Sequence, residues 1–215
     1  MAKLIKEIHD LIDYVGDKGH TAPQRRREID QAVYEASMSL FNEYLGQYEL
    51  TSTIHEYLAP FEIIEDYDDP VNITAPNLYK KPDDYARYTM ILTKDAPTIT
   101  KGLKVTVINN AMWANRTQDP NEGPDFDHPI ARLGSTFIEV LPQNVLILLY
   151  YLKTPIKPKY LTDVQGNYDD AGSTDVEWNA TLFHRLANRA CSKLGINLRE
   201  QQIVQYSEVM KQTGN

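Results

Sequence analysis

At 215 residues, with 42% hydrophobic and 24% charged side chains, the chain is long enough to bury a substantial core and too apolar to be disordered over most of its length. Its formal net charge of −8 argues against generic affinity for duplex nucleic acid, which draws on clustered lysine and arginine. A lone cysteine, Cys191, cannot form an internal disulfide, and no apolar run reaches the roughly 20 residues needed to span a bilayer.

Leu4, Ile5, Ile8, Leu11, Ile12 and Val15 recur at three and four residues, which predicts an amphipathic helix ending at Gly16. Lys3, Lys6, Glu7 and Asp10 interrupt it, so it does not read as a signal segment and synthesis is expected in the cytoplasm. Gly16-Asp17-Lys18-Gly19 reads as a turn. Thr21, with Pro23 and Gln24 after it, predicts the start of a second helix. The stripe Ile29, Val33, Ala36, Leu40, Phe41, Tyr44 and Leu45 carries that helix to Gly46, and the two are expected to pack antiparallel. A short apolar piece from Ile54 to Leu58 stops at Pro60, and Phe61-Glu62-Ile63-Ile64 reads as a strand.

Residues 65–87 are acidic and proline-punctuated, a loop with short extended pieces. Strands are predicted over 88–92 and 103–108, where β-branched residues concentrate. The piece around Met112 and Trp113 stays open between a short helix and irregular chain, and 121–129 reads as a loop. Residues 136–141 and 145–152, joined by Pro142-Gln143-Asn144, carry the plainest β-hairpin signal in the chain. The Gly/Asp-rich stretch 161–175 reads as a mobile excursion that orders when a partner arrives. After it, Val176-Glu177-Trp178-Asn179 leads into a helix carrying Leu182, Leu186, Ala190 and Leu194, with Cys191 on its apolar face, broken at Gly195. Asn197 through Glu200 then read as the cap of a terminal helix. Fourteen tyrosines against five phenylalanines predict many half-buried positions.

The divisions expected are N-terminal helices over 1–60, a β-rich module over 61–160, an acidic loop over 161–175 and a helix pair over 176–215, within one compact domain. The fold class expected is α+β: an N-terminal helical hairpin, a central mostly antiparallel sheet or small barrel, and a C-terminal helix pair.

Catalytic signatures are sparse. His9, His20, His55, His128 and His184 lack metal-ligand spacing. Asp125, Asp127 and His128 form the densest mixed cluster, but Gly123, Pro124 and Pro129 bracket it, and a solvated turn is the simpler reading. The runs Asp66, Asp68, Asp69 and Asp163, Asp169, Asp170 lack the ligand register of a calcium loop. No glycine-rich phosphate loop or nucleophile-elbow motif is present. No cofactor, no metal and no catalytic residue is therefore expected. One rival reading is a soluble hydrolase whose acidic loops hold a divalent cation; another is a monomeric host-directed effector.

The segment from Ile29-Asp30-Gln31-Ala32 through Leu40-Phe41-Asn42-Glu43-Tyr44-Leu45, the stretch Tyr151-Leu152-Lys153-Thr154-Pro155, and the ending Val176-Glu177-Trp178 through Leu194-Gly195-Ile196-Asn197 together resemble the ring or neck proteins of crAss-like phages infecting Bacteroidetes. The resemblance implies a non-enzymatic structural virion protein, a head-to-tail connector subunit made in the host bacterial cytoplasm. It implies a closed homo-oligomeric ring of about twelve copies, portal-associated and joined to tail or other neck proteins. Viral DNA would pass through the lumen without specific binding, and no membrane is involved. Attachment elsewhere on the tail or as a head-completion component is the nearest alternative. For partner contact the residues singled out are Arg25, Arg26 and Arg27, the only three-residue basic run, and Trp178 at the entry to the last helices; a buried Trp178 would instead be core.

Overall fold

The computed structural model describes residues 3–19, 25–67, 73–75, 77–94, 102–119 and 123–196. The protein is α+β, and the expected single domain divides into two units. A helical unit draws on both chain segments up to Phe61 and from Pro155 onward, and a β unit comprises Glu62–Thr154. In sequence the two units meet at 61/62 and 154/155. The β unit is thus an insertion between the two halves of the helical one.

In the helical unit, α1 (Leu4–Gly19) buries the predicted stripe, with Ile5, Ile8, Leu11 and Ile12 essentially inaccessible. It runs through Gly16 to Gly19, one turn beyond the expected stop; a glycine inside a helix costs only about 1 kcal/mol, so it ends nothing by itself. The first turn is capped from far along the chain. The Asp175 carboxylate accepts the N–H groups of Leu4 at 3.2 Å and Ile5 at 2.8 Å, two donors that no intrahelical carbonyl can reach. Replacing Asp175 with Ala is expected to cost about 1 kcal/mol, a fall of about 2–4 °C in the midpoint of thermal unfolding followed by circular dichroism.

α2 (Arg26–Gly46) ends where predicted, while the start signals at Thr21, Pro23 and Gln24 lie outside the described residues. Arg25 precedes its first turn, and the Glu28 carboxylate accepts the Arg25 N–H at 3.2 Å. Ile29, Val33, Ala36, Leu40, Phe41 and Tyr44 form its buried face. α3 (Ser52–Leu58) and a 3-10 turn (Ala59–Phe61) follow, with Ile54, Leu58 and Phe61 turned inward. Asn179 caps a second 3-10 turn (Ala180–Leu182), and the chain continues into α5 (Phe183–Lys193; α4, Asn110–Gln118, belongs to the β unit), which packs on α2 and touches α1. Gly195 takes φ of 72°, letting Ile196 N–H reach back to the Cys191 carbonyl at 2.8 Å and stop the helix. Cys191 is fully buried on α5, as expected. The second helix expected from Asn197 lies outside the described residues.

The stretch 161–175, expected to be mobile, is instead folded. Lys159 pairs with Thr174 and Thr162 with Tyr168, making two nested turns. The compositional signal misled because aspartates bond their own backbone. Asp163 accepts from the N–H groups of Gln165 and Asn167, and Asp169 from those of Ala171 and Gly172. The turns are also fastened at their base, by Arg26 to the Thr162 hydroxyl at 2.7 Å and by the Lys3–Asp170 ion pair.

Among the described residues the β unit holds eight strands in two sheets. β1 (Glu62–Asp66), β8 (Leu146–Lys153) and β4 (Tyr85–Lys94) form one, with β8 central. β2 (Ile73–Ala75), β3 (Leu78–Lys80), β7 (Phe137–Leu141), β6 (Ile130–Leu133) and β5 (Thr106–Val107) form the other in that order, antiparallel throughout except for β5 against β6. α4 (Asn110–Gln118), capped by the Asn109 side chain on Met112 N–H, lies between β5 and β6 in sequence and settles the Met112–Trp113 piece as helix.

The predicted hairpin is a correction. β7 and β8 are consecutive but belong to different sheets, so they face rather than pair with each other. The physical reason is in β8 itself. Leu146-Ile147-Leu148-Leu149-Tyr150-Tyr151-Leu152 is apolar on both faces, and such a strand is stable at a sheet centre, where β1 and β4 occupy its two edges. β7 alternates and buries only Ile138 and Val140. Ile91, Ile147, Leu149 and Tyr151 of one sheet meet Tyr79, Ala131, Ile138 and Val140 of the other in one core cluster. The sheets are stitched along one side. Thr93 and Val105 N–H groups exchange bonds between β4 and the 103–105 segment, and Thr106 and Ile108 N–H groups then bond Pro129 and Ala131 in the second sheet. Gly102 permits this close approach, since a Cβ there would collide with the Thr93 carbonyl.

Tyr67, Tyr79 and Tyr151 are fully buried rather than half-buried. Tyr67 donates to the Lys80 carbonyl at 2.5 Å, Tyr79 to the Val145 carbonyl and Tyr151 to Asp84 at 3.0 Å, each ring in the core with its hydroxyl satisfied. Burial raises all three phenols above their ordinary pKa and keeps them neutral.

Candidate functional site

The three arginines at the start of α2 are exposed but do different things. Arg26 is committed within the unit, its guanidinium 5.2 Å from the Tyr160 ring centroid and bonded to Thr162. Arg27 instead lines an open concavity of about 280 Å³ with Asp30, Lys157, Pro158 and Lys159. Helix α2 supplies Arg27 and Asp30 one turn apart, and the segment after Pro155 supplies the rest.

Beneath that concavity lies a buried polar cluster that sequence reasoning did not find. Asp30 is 6% exposed and His9 2%. Asp30 Oδ1 accepts from His9 Nε2 at 2.9 Å and from the Tyr160 N–H at 3.1 Å, and the His9 ring stacks on Tyr160 with centroids 4.4 Å apart. An ionised carboxylate only accepts, so His9 carries its proton on Nε2. The cluster ties α1, α2 and the chain at Tyr160 into one knot. Lys157 Nζ bonds the Gln31 side-chain oxygen at 2.6 Å and lies 6.0 Å from the Tyr34 ring centroid, and neither of these partners carries an opposing charge. The concavity therefore presents three cations against one carboxylate whose near oxygen is already engaged twice.

Trp178, singled out for partner contact, is interior. It is 3% exposed, stacks edge-on against Phe61 and Tyr44, and donates its indole N–H to the buried Ser37 hydroxyl at 2.7 Å. Its surface role gives way to a packing one.

In the β unit, Asp125, Asp127 and His128 do come together, as a turn. Asp125 Oδ1 accepts from the Asp127 N–H at 3.1 Å, the His128 N–H at 2.6 Å and the His128 ring at 3.1 Å. Among the described residues no group of three or more His, Cys, Asp or Glu is placed to hold a metal ion. The His128 N–H, with help from its ring and the Asp127 N–H, holds the Asp125 carboxyl below the usual carboxylate range. A depressed folded-state pKa means the turn is stabilised above the unfolded value and released as pH falls through the folded one. The Asp127 and His128 amide resonances are expected to shift together with a midpoint below about 3.9; a midpoint at or above that value would contradict the turn.

The sequence matches no protein-family model and no curated protein. What the structure itself defines is a class, an α+β protein in which a two-sheet β unit is inserted into a helical unit whose surface carries a basic concavity. No helix among the described residues is long and apolar enough to cross a membrane.

Proposed function

We propose that the chain is a structural virion protein of a tailed phage, a ring-forming neck subunit that joins the portal to the tail. The observation that carries this reading is the distribution of exposed apolar side chains. Leu50 and Val164 on the helical unit and Ile64, Met112 and Phe126 on the β unit all stand more than half exposed. A subunit that repeats by rotation needs two different surfaces, one for each neighbour, and each unit offers its own. Among the described residues, Asp125, Asp163, Asp169 and Asp175 are spent on turns and a helix cap, and His9 and Asp30 on their knot. Arg25 and Arg27 remain candidates for contact with acidic neighbours. A net charge of −8 suits a wall along which duplex DNA slides without being held.

The test is imaging of the purified chain assembled with a portal. A ring of this subunit beneath the portal is the expected result. Density elsewhere on the particle would support the tail or head-completion alternative, and a particle lacking the chain would overturn the reading.

A further inference from the structure

We infer that the Asp125-Phe126-Asp127 turn of one copy seats in the concavity formed by Arg27, Lys157, Pro158 and Lys159 of a second copy, an inference that rests on the ring reading above. Phe126 is 68% exposed and stands between two exposed aspartates. The three donors on Asp125 hold this turn in shape, so it is presented ready-made. Phe126 also lines a groove with Leu103, Val145 and Leu146 alongside the polar Thr93, Lys94 and Asn144.

The concavity carries the complementary pattern. Pro158 is buried at its floor, and the stems of Arg27, Lys157 and Lys159 add apolar surface beneath cationic heads. Its volume of about 280 Å³ accommodates a benzyl group. Acid, phenyl, acid thus faces cation, apolar floor, cation. Asp30 does not cancel those cations, because His9 and Tyr160 already hold its near oxygen and its charge is one against three. A phosphodiester would satisfy the cations and leave the apolar floor uncovered, whereas an acidic turn with an aromatic tip covers both. Knob and socket are different patches, and the inferred contact is heterologous, each copy offering a knob to one neighbour and a socket to the other around a ring; a linked species that stops at the dimer would mean reciprocal two-fold seating and would overturn the ring.

The experiment is cysteine cross-linking of the full chain with a short bis-maleimide at pH 7. Cys191 is fully buried and burial pushes its thiol up to about 12, so only introduced cysteines react. The Pro124→Cys/Ile156→Cys variant, which flanks knob and socket and keeps Phe126 and all three cations, is expected to give a ladder of covalent oligomers, and a mixture of the two single variants only dimers. Val164→Cys/Ile156→Cys, using the fully exposed Val164, is the comparator and is expected to give neither. Circular dichroism melting confirms that each variant folds. Light scattering of the unmodified chain is run alongside. Oligomers in light scattering without a ladder, or a comparator that links equally well, overturns the socket and leaves the ring standing. A ladder of open chains that never closes keeps the socket and overturns the ring. A product of monomer mass, or no product with a monomeric chain, overturns the socket, and the portal imaging then decides the ring independently.

Discussion

Trp178→Ala is expected to destabilise the helical unit by about 3–5 kcal/mol, the range for removing a large aromatic from a packed interior. Trp178 sits where α2, the turn ending α3 and the entry to α5 converge, with ring centroids 4.6 Å from Phe61 and 6.0 Å from Tyr44. Little around it can collapse into the space, since its neighbours Phe61 and Tyr44 are themselves buried and held in the 3-10 turn and in α2. Trp178→Phe keeps an aromatic there but strands the Ser37 hydroxyl, and about 1–2 kcal/mol is expected; Ser37→Ala strands the indole N–H with a similar loss. The Trp178→Phe/Ser37→Ala pair is expected to cost less than the sum of its parts, because the second change removes the orphan left by the first. Urea unfolding followed at 222 nm measures all four. Domain stability is only about 5–15 kcal/mol, so Trp178→Ala brings the helical transition to markedly lower urea. If Trp178→Ala unfolds at the same urea concentration as the parent chain, Trp178 is not the anchor that its burial implies.

The helices could be read in the sequence because each buries one face. The stripe from Leu4 to Val15 and that from Ile29 to Tyr44 are periodic, and α5 shows the same pattern through Leu186, Ala187, Ala190 and Cys191. The β7–β8 connection could not be read the same way. Two apolar runs and a three-residue link satisfy the local rule for a hairpin, while the choice of partner is set by β1 and β4, which sit 80 or more positions and some 60 positions earlier in sequence and claim both edges of β8. The nested turns of 161–175 were hidden for the opposite reason. Their hydrogen bonds are local, but a count of Gly and Asp does not show which carboxylate finds which amide.

The candidate site was half legible. Arg25-Arg26-Arg27 announces itself as a basic run, yet nothing in the run says that Arg26 is spent on Tyr160 and Arg27 is turned to a concavity. Lys157-Pro158-Lys159, the other half of that concavity, reads only as the end of a strand. Trp178 carried the expectation of a surface role because tryptophan marks contacts as often as cores. Its environment of Phe61, Tyr44 and Ser37 is assembled from three places in the chain.

The His9–Asp30–Tyr160 knot was not legible at all, since its members stand 21 and 130 residues apart, and it carries the second large effect. Asp30→Ala is expected to destabilise the helical unit by about 3 kcal/mol, because it orphans two buried donors at once, each worth about 1–3 kcal/mol. Asp30→Asn retains an acceptor oxygen for the Tyr160 N–H and the His9 Nε2–H, so a loss of about 1 kcal/mol is expected. The two substitutions remove the same charge, and the difference between them isolates the hydrogen bonds from the electrostatics of the concavity above. Hydrogen exchange adds a local readout. In Asp30→Ala the Tyr160 amide is expected to lose protection together with Lys159 and Thr174, whose backbone pairing begins at that point, while the amides of β8 keep theirs. Equal losses for Ala and Asn, with Tyr160 still protected in both, would mean that the carboxylate acts only as a charge beneath Arg27, Lys157 and Lys159 and that the knot does not hold the chain at Tyr160 to α1 and α2.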